Sequence, residues 1–310
     1  MRSQDSQDAE PGQLGCEAMT GPPPQQFPRS ARLDAALVLR QLAEITGVRL
    51  ADEGPCPGGQ VGAAYVRWPG GHRSVLTAAP PGSEAAVRRT ESLLAAGRAA
   101  GVPAPRYELV AELPAALVVV QELLPGSAPA VITRRVLDSM LEMHRRCRGI
   151  LAGREDQPAP SLYLRTDGPG FCLHEPLARY DRRTARLLAV VEEIGAAVPE
   201  HLAGDDLVHF DFHPENVLVD AAGVVTGVVD WDGAGRSNGY LDLVTLRFDL
   251  AHRAPDLGRW LAELMRDAAP DDVIRACWAH MSLRLVDWCI RHWTSSRVTA
   301  WLDIAEALRP

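Results

Sequence analysis

His209-Phe210-Asp211-Phe212-His213-Pro214-Glu215-Asn216, followed by Val217-Leu218-Val219 and then by Val228-Val229-Asp230-Trp231-Asp232, is the stretch on which the reading of this 310-residue chain turns. Asp211 and Asn216 stand five apart, and Asp230 comes fourteen residues later. One carboxylate, one carboxamide and a second carboxylate at that spacing suit phosphoryl transfer from a nucleotide. That chemistry asks the protein mainly to position an acceptor hydroxyl and to neutralise charge with a divalent cation. Asp211 is the candidate base. Asn216 and Asp230 are oxygen ligands of the kind Mg2+ prefers, and Asp232 is a further candidate for a second metal. Asn216 is one of only two asparagines in the chain.

The local pattern explains how residues so spaced could meet. Residues 217–220 and 224–229 are apolar, β-branched runs joined by Ala221-Ala222-Gly223, which reads as a β-hairpin. Asn216 then sits at the mouth of the first strand and Asp230 at the end of the second.

Taken together, His-x-Asp-x-His-Pro-x-Asn-Val-Leu-Val, a hairpin, Val-Asp-Trp-Asp and Tyr240-Leu241-Asp242-Leu243 resemble the aminoglycoside phosphotransferase and small-molecule kinase branch of the protein-kinase-like fold. The resemblance implies an α+β, two-lobed protein with a small β-rich N-lobe and a larger, mostly helical C-lobe. It implies that Asp211 is the catalytic base, that Asn216 and Asp230 hold metal, that His209 braces the catalytic loop and that Asp242 supports it from beneath. ATP or GTP and Mg2+ are the cofactors implied.

Outward from the motif, residues 30–46 are predicted helical and 61–68 and 73–78 form a predicted hairpin across Pro69-Gly70-Gly71-His72. A helix over 83–100 and strands near 107–111 and 116–121 come next. Gly58-Gly59-Gln60 suggests a phosphate-covering loop through Gly59, although turns use glycine for many other reasons. Gln121, Glu122 and Leu123, just before the Pro125-Gly126 break, correspond in the resembled family to the hinge that binds the nucleotide base. The expected division is a tail over 1–30, an N-lobe over 31–124 and a C-lobe over 125–310. Within the C-lobe, helices are expected over 131–148, 178–198, 241–252, 255–268, 270–292 and 296–308, with a loop-rich insert over 153–175. Met19 is a second candidate start.

The chain contains no lysine; all 32 basic residues are arginine. The kinase-like family places a phosphate-holding lysine on the third strand, paired with a helix glutamate. Here Thr77 falls at the lysine position and Thr90 at the glutamate, with Glu91 one place off. Either another cation substitutes, with Arg73 on the same strand face as Thr77 the first candidate, or the chain binds nucleotide without turnover.

A net charge of −8 argues against nucleic acid as partner and suits a cationic acceptor. The tail has no apolar stretch of the secretory type and no membrane span is expected, and six scattered cysteines without Cys-x2-Cys pairing suggest reduced thiols. A cytoplasmic monomer or homodimer is therefore expected. Six of seven tryptophans lie at or beyond the motif, and Asp287-Trp288 is the candidate acceptor-binding pair. The candidate acceptors are aminoglycosides or peptide antibiotics, with a metabolic amino alcohol, amino acid or sugar-like compound as the alternative.

Overall fold

A computed structural model describes residues 33–57, 62–266 and 268–310. The expectations for the 1–30 tail and for Gly59 lie outside the described residues. The chain folds as α1 (Ala35–Thr46), β1 (Ala51–Pro55), β2 (Ala64–Arg67), β3 (Arg73–Ala79), α2 (Glu84–Ala99), β4 (Tyr107–Glu112), β5 (Leu117–Glu122) and α3 (Arg134–Arg146). After these come α4 (His174–Tyr180), α5 (Arg182–Ala197), β6 (Asp206–Val208), a 3-10 turn (Pro214–Asn216), β7 (Val217–Val219), β8 (Val225–Val228) and β9 (Gly235–Ser237). The C-terminal helices are α6 (Tyr240–Arg253), α7 (Pro255–Arg266), α8 (Asp271–His292) and α9 (Ser295–Ala307).

The first five strands form one antiparallel sheet in the order β1-β2-β3-β5-β4. Its interior strand β5 reads Leu117-Val118-Val119-Val120, a continuous apolar run, because both faces are covered. Val118 and Val120 pack with Val38 and Leu39 of α1. Leu117 and Val119 pack with Val87 of α2 on the opposite face. The two-residue side-chain period of a strand separates these sets. Further along α2, Leu93 and Leu94 enter the core of the helical part, so this helix joins the sheet to the C-terminal helices. The result is a two-lobed, protein-kinase-like α+β fold.

Several predicted elements change on folding. β1 was not anticipated, because Ala-Asp-Glu-Gly-Pro reads as a turn; it survives as an irregular edge strand against β2. The helix expected over 178–198 is two helices. The Asp181 side chain accepts from the N–H groups of Arg183 and Thr184, and Thr184 returns a contact to the Asp181 backbone. That capping box starts α5 and ends α4. In the helical part α8 packs against α4, α5, α6 and α9, which accounts for its lack of a polar stripe.

The turn after β5 is fixed by Gly126, with φ +101°. A Cβ there would stand 2.8 Å from the Val219 carbonyl oxygen. Ser127 then exchanges both backbone hydrogen bonds with Val219, so the segment leaving the sheet docks directly on the β7–β8 hairpin.

Candidate active site

The hairpin forms as expected, with Val217 opposite Val228. Asn216 and Asp230 come together at its open end: the Val229 N–H donates to the Asn216 carbonyl at 2.9 Å. The Asn216 amide N–H donates to the Asp211 carbonyl at 2.9 Å, which leaves its Oδ1 uninvolved in that bond. A single hydrogen-bonded unit therefore joins the candidate base to Asn216 and to Val229, the residue before Asp230.

Two residues of this unit hold unusual backbone. Phe210 has φ +70° and Asp230 φ +65°, a region that bulky side chains rarely adopt and that recurs at functional sites. What over-determines the loop is visible. Asp242, at the start of α6, accepts the N–H of His209 at 2.8 Å and of Phe210 at 2.9 Å. The His209 ring donates from Nε2 to the Val229 carbonyl at 2.8 Å, which leaves Nδ1 to accept the Asp211 N–H at 3.3 Å. Trp231 lies against that ring, with centroids 4.5 Å apart. Burial pulls His209 down to about 4, so it is a neutral brace and not a proton carrier near pH 7.

The electrostatics separate the carboxylates. Burial alone would raise Asp211, but the Arg284 guanidinium, followed by His213, holds it well below the usual carboxylate range. Its side chain keeps 29% exposure, so it is ionised and reachable. Asp230 is exposed at one side, yet desolvation by the protein around it, with the neighbouring charges of Asp232 and Asp211, pushes it up to about 6. Asp232, exposed like Asp230, is raised by desolvation as well. Carboxylates crowded in this way favour a bound cation, and a carboxamide oxygen beside them suits a hard one. Among the described residues no three His, Cys, Asp or Glu side chains form a ready metal cage. A cation here would thus depend on Asn216 and on oxygens from outside the protein, the habit of nucleotide-bound Mg2+.

The remaining expected residues fare differently. Gln121 is committed to the sheet, opposite Val75 on one side and Tyr107 on the other. The Glu122 N–H donates to the Arg106 carbonyl. Leu123 is the first residue past the strand. Arg73 sits at the start of β3, where its Nε donates to Glu53 at 2.5 Å and its guanidinium lies 5.1 Å from the Tyr65 ring centroid. Four strand residues, roughly 13 Å, separate it from Thr77, so the structure gives no support to Arg73 as the missing clamp. Thr90 is buried, whereas Glu91 is half-buried and acts on Tyr107 together with Asp232 and Asp230.

Asp287 is a correction. It is fully buried, paired with Arg291 through Nε at 2.7 Å and accepting the Leu173 N–H at 3.1 Å. It ties α8 to the insert and does not meet an acceptor. Its neighbour Trp288 is half-buried and stacks on His292, centroids 3.9 Å apart.

The residue that sequence reasoning missed is Arg284 of α8, whose Nη2 lies 2.9 Å from Asp211 Oδ2 and whose Nη1 donates to the Phe210 carbonyl at 2.5 Å. No motif marks an arginine 73 positions beyond its partner.

A sheet-and-helix kinase-like fold around this loop and hairpin defines a phosphotransferase class of protein. The sequence matches the phosphotransferase enzyme family over residues 52–297, most of the chain, and the protein belongs to that family. Among solved structures, a thermostable mutant of aminoglycoside phosphotransferase APH(4)-Ia in ternary complex with AMP-PNP and hygromycin B aligns with a TM-score of 0.66 at 18% identity, over 87% of this chain and 97% of that one. APH(3'')-Id from Streptomyces rimosus aligns with a TM-score of 0.51 at 17% identity, over 89% and 98%. Macrolide 2'-phosphotransferase MphH from Brachybacterium faecium, as apoenzyme, gives 0.50 at 17%, over 87% and 97%. At these identities the likeness is one of fold. No curated protein matches. No helix among the described residues is long and apolar enough to cross a membrane.

Proposed function

We propose that the protein transfers the γ-phosphoryl group of ATP or GTP to a hydroxyl of a small molecule. The observation that carries this reading is the hydrogen-bonded unit of Asp211, Asn216 and Val229, which sets an ionised, accessible carboxylate beside a carboxamide and the Asp230 carboxylate. Asp211 orients the acceptor hydroxyl and receives its proton. Asn216 and Asp230, with Asp232 adjoining, would hold Mg2+, which supplies charge neutralisation for the phosphates when bound. The backbone just past the strand, at Leu123, would meet the nucleotide base, since the Glu122 N–H is already given to the Arg106 carbonyl. His209 and Asp242 keep the loop in its strained conformation.

Nucleotide use is supported by the family and by a neighbour solved with AMP-PNP. An acceptor of the antibiotic type is supported by neighbours named as aminoglycoside and macrolide phosphotransferases; a metabolic acceptor is the competing reading. A binding module without turnover has no chemical use for the joint retention of Asp211, Asn216 and Asp230.

The test is a thermal-shift scan with Mg·ATP and Mg·GTP, followed by a transfer assay across hydroxyl-bearing acceptors. Stabilisation by nucleotide together with transfer supports the proposal. Stabilisation without transfer to any acceptor would sink the enzyme reading in favour of the binding module.

A further inference from the structure

The family reading leaves Arg284 without a task, although its guanidinium touches the candidate base. Its contacts with Asp211 Oδ2 and the Phe210 carbonyl engage Nη2 and Nη1. Of the five N–H groups of a guanidinium, these contacts need two. The side chain retains 21% exposure, and Phe171, half-buried in the segment before α4, lies 5.4 Å from it. Near it, His280 and Cys172 are buried and offer it no charge, whereas Asp230, a candidate metal ligand, lies close enough to feel its charge.

An acceptor hydroxyl must come within hydrogen-bond reach of the Asp211 carboxylate, and Arg284 is 2.9 Å from one of that carboxylate's oxygens. Substituents next to the reacting hydroxyl therefore lie within several ångströms of the guanidinium. A protonated amine there meets a like charge, and Asp211, already paired, gives it little in return. An oxyanion meets unspent, fork-shaped donors. Of the other carboxylates, Asp230 and Asp232 would be engaged by the divalent cation, and Glu215 and Asp249 share the Arg253 guanidinium at 3.3 Å and 3.8 Å.

We infer that Arg284 is the specificity-determining residue of the acceptor site, selecting hydroxy compounds that carry an oxyanion, a carboxylate or a phosphate, close to the reacting hydroxyl. This rests on the phosphotransfer reading above and, of its two acceptor classes, favours the metabolic one over the aminoglycoside. In the step itself the bond between the γ-phosphorus and the bridging oxygen breaks, leaving the nucleoside diphosphate. The acceptor oxygen bonds to that phosphorus, and the hydroxyl proton passes to Asp211 and then to solvent.

The full chain is assayed with Mg2+ and γ-labelled ATP against four acceptor sets: hydroxycarboxylates such as gluconate, phosphate esters such as glycerol 3-phosphate, uncharged glucose and glycerol, and the polyamines kanamycin and hygromycin B. The expected result is a kcat/KM at least about ten-fold higher for one or both anionic sets than for the polyamines, the two anionic arms telling carboxylate from phosphate. In Arg284→Gln that preference disappears, mainly through KM, and Arg284→Lys retains part of it. Preference for the polyamines overturns the inference while leaving the phosphotransfer reading intact, and so does an equal loss on every set in the variants. Because the unmodified protein alone gives the preference, a variant that fails to fold does not shield the inference. No transfer to any set overturns the phosphotransfer reading itself, and this inference with it.

Discussion

One carboxylate, that of Asp242, accepts the backbone N–H groups of both His209 at 2.8 Å and Phe210 at 2.9 Å, so the first turn of α6 holds the candidate catalytic loop by two consecutive peptides. Phe210 is one of the two residues there with positive φ, and a left-handed peptide needs such an external partner to persist. Burial pushes Asp242 up to about 7, against the lowering effect of these two bonds.

Replacing Asp242 by alanine orphans both N–H groups in a buried setting. A loss of about 2–4 kcal/mol in unfolding free energy is expected, measurable by urea denaturation, together with a fall in kcat larger than stability explains. Asparagine keeps one acceptor and falls between the two. An alanine variant of unchanged stability and turnover would show that the loop is held by other contacts.

Asp230 gives a pH signature. Its folded value of about 6 lies above the usual 3.8, so the folded state binds more protons and Asp230 lowers stability as pH rises from about 4 to about 6. Burial has the opposite effect through His209 and His280, which fall to about 4 and about 3, so a raw melting profile mixes signs. The difference between Asp230→Asn and the unmodified protein isolates the carboxylate. Without divalent cation, the variant should gain on the unmodified protein over that window, by less than about 1 kcal/mol at pH 7, because Asp230 is exposed and water screens its charge. Excess Mg2+ should shrink or reverse the gain. A difference that is flat with pH, with or without Mg2+, would show that Asp230 is not a strained carboxylate awaiting a cation.

The hairpin and catalytic loop were legible because their chemistry is local: Asp211, Asn216 and Asp230 lie within twenty residues, and β-branched alternation fixes how the two strands pair. The sheet was legible in part. β5 announces itself as a buried run, but β1 is an edge strand whose Asp-Glu-Gly-Pro sequence carries no apolar signal. Asp287 was misread because an acid near a tryptophan resembles a ligand. The available warning was Arg291 four residues on, which in a helix buried on all sides marks an internal pair. Arg284 could not be foreseen, since its meeting with Asp211 depends on how α8 packs against the catalytic loop.

Arg73 tests the phosphate side. Paired with Glu53 and remote from Thr77, it should be dispensable for nucleotide binding. The apparent Mg·ATP affinity of Arg73→Ala, read by thermal shift or calorimetry, is expected within about two-fold of the unmodified protein, and loss of an exposed pair should leave the melting temperature nearly unchanged. A ten-fold or greater weakening would return Arg73 to the nucleotide site.

Asp211 itself separates binding from chemistry. Asp211→Asn keeps the shape of the side chain and the backbone carbonyl that receives the Asn216 amide, while removing the charge that faces Arg284 at 2.9 Å. Nucleotide affinity should stay within a few-fold, because the base acts on the acceptor and not on the nucleotide. Transfer should fall by at least about 10²-fold, the scale of lost general-base assistance. Stability should fall as well, since Arg284 is left partly buried opposite a neutral amide, and melting measured beside turnover distinguishes that loss from the chemical one. A variant that binds Mg·ATP normally and still transfers phosphate at the original rate would remove Asp211 as the base.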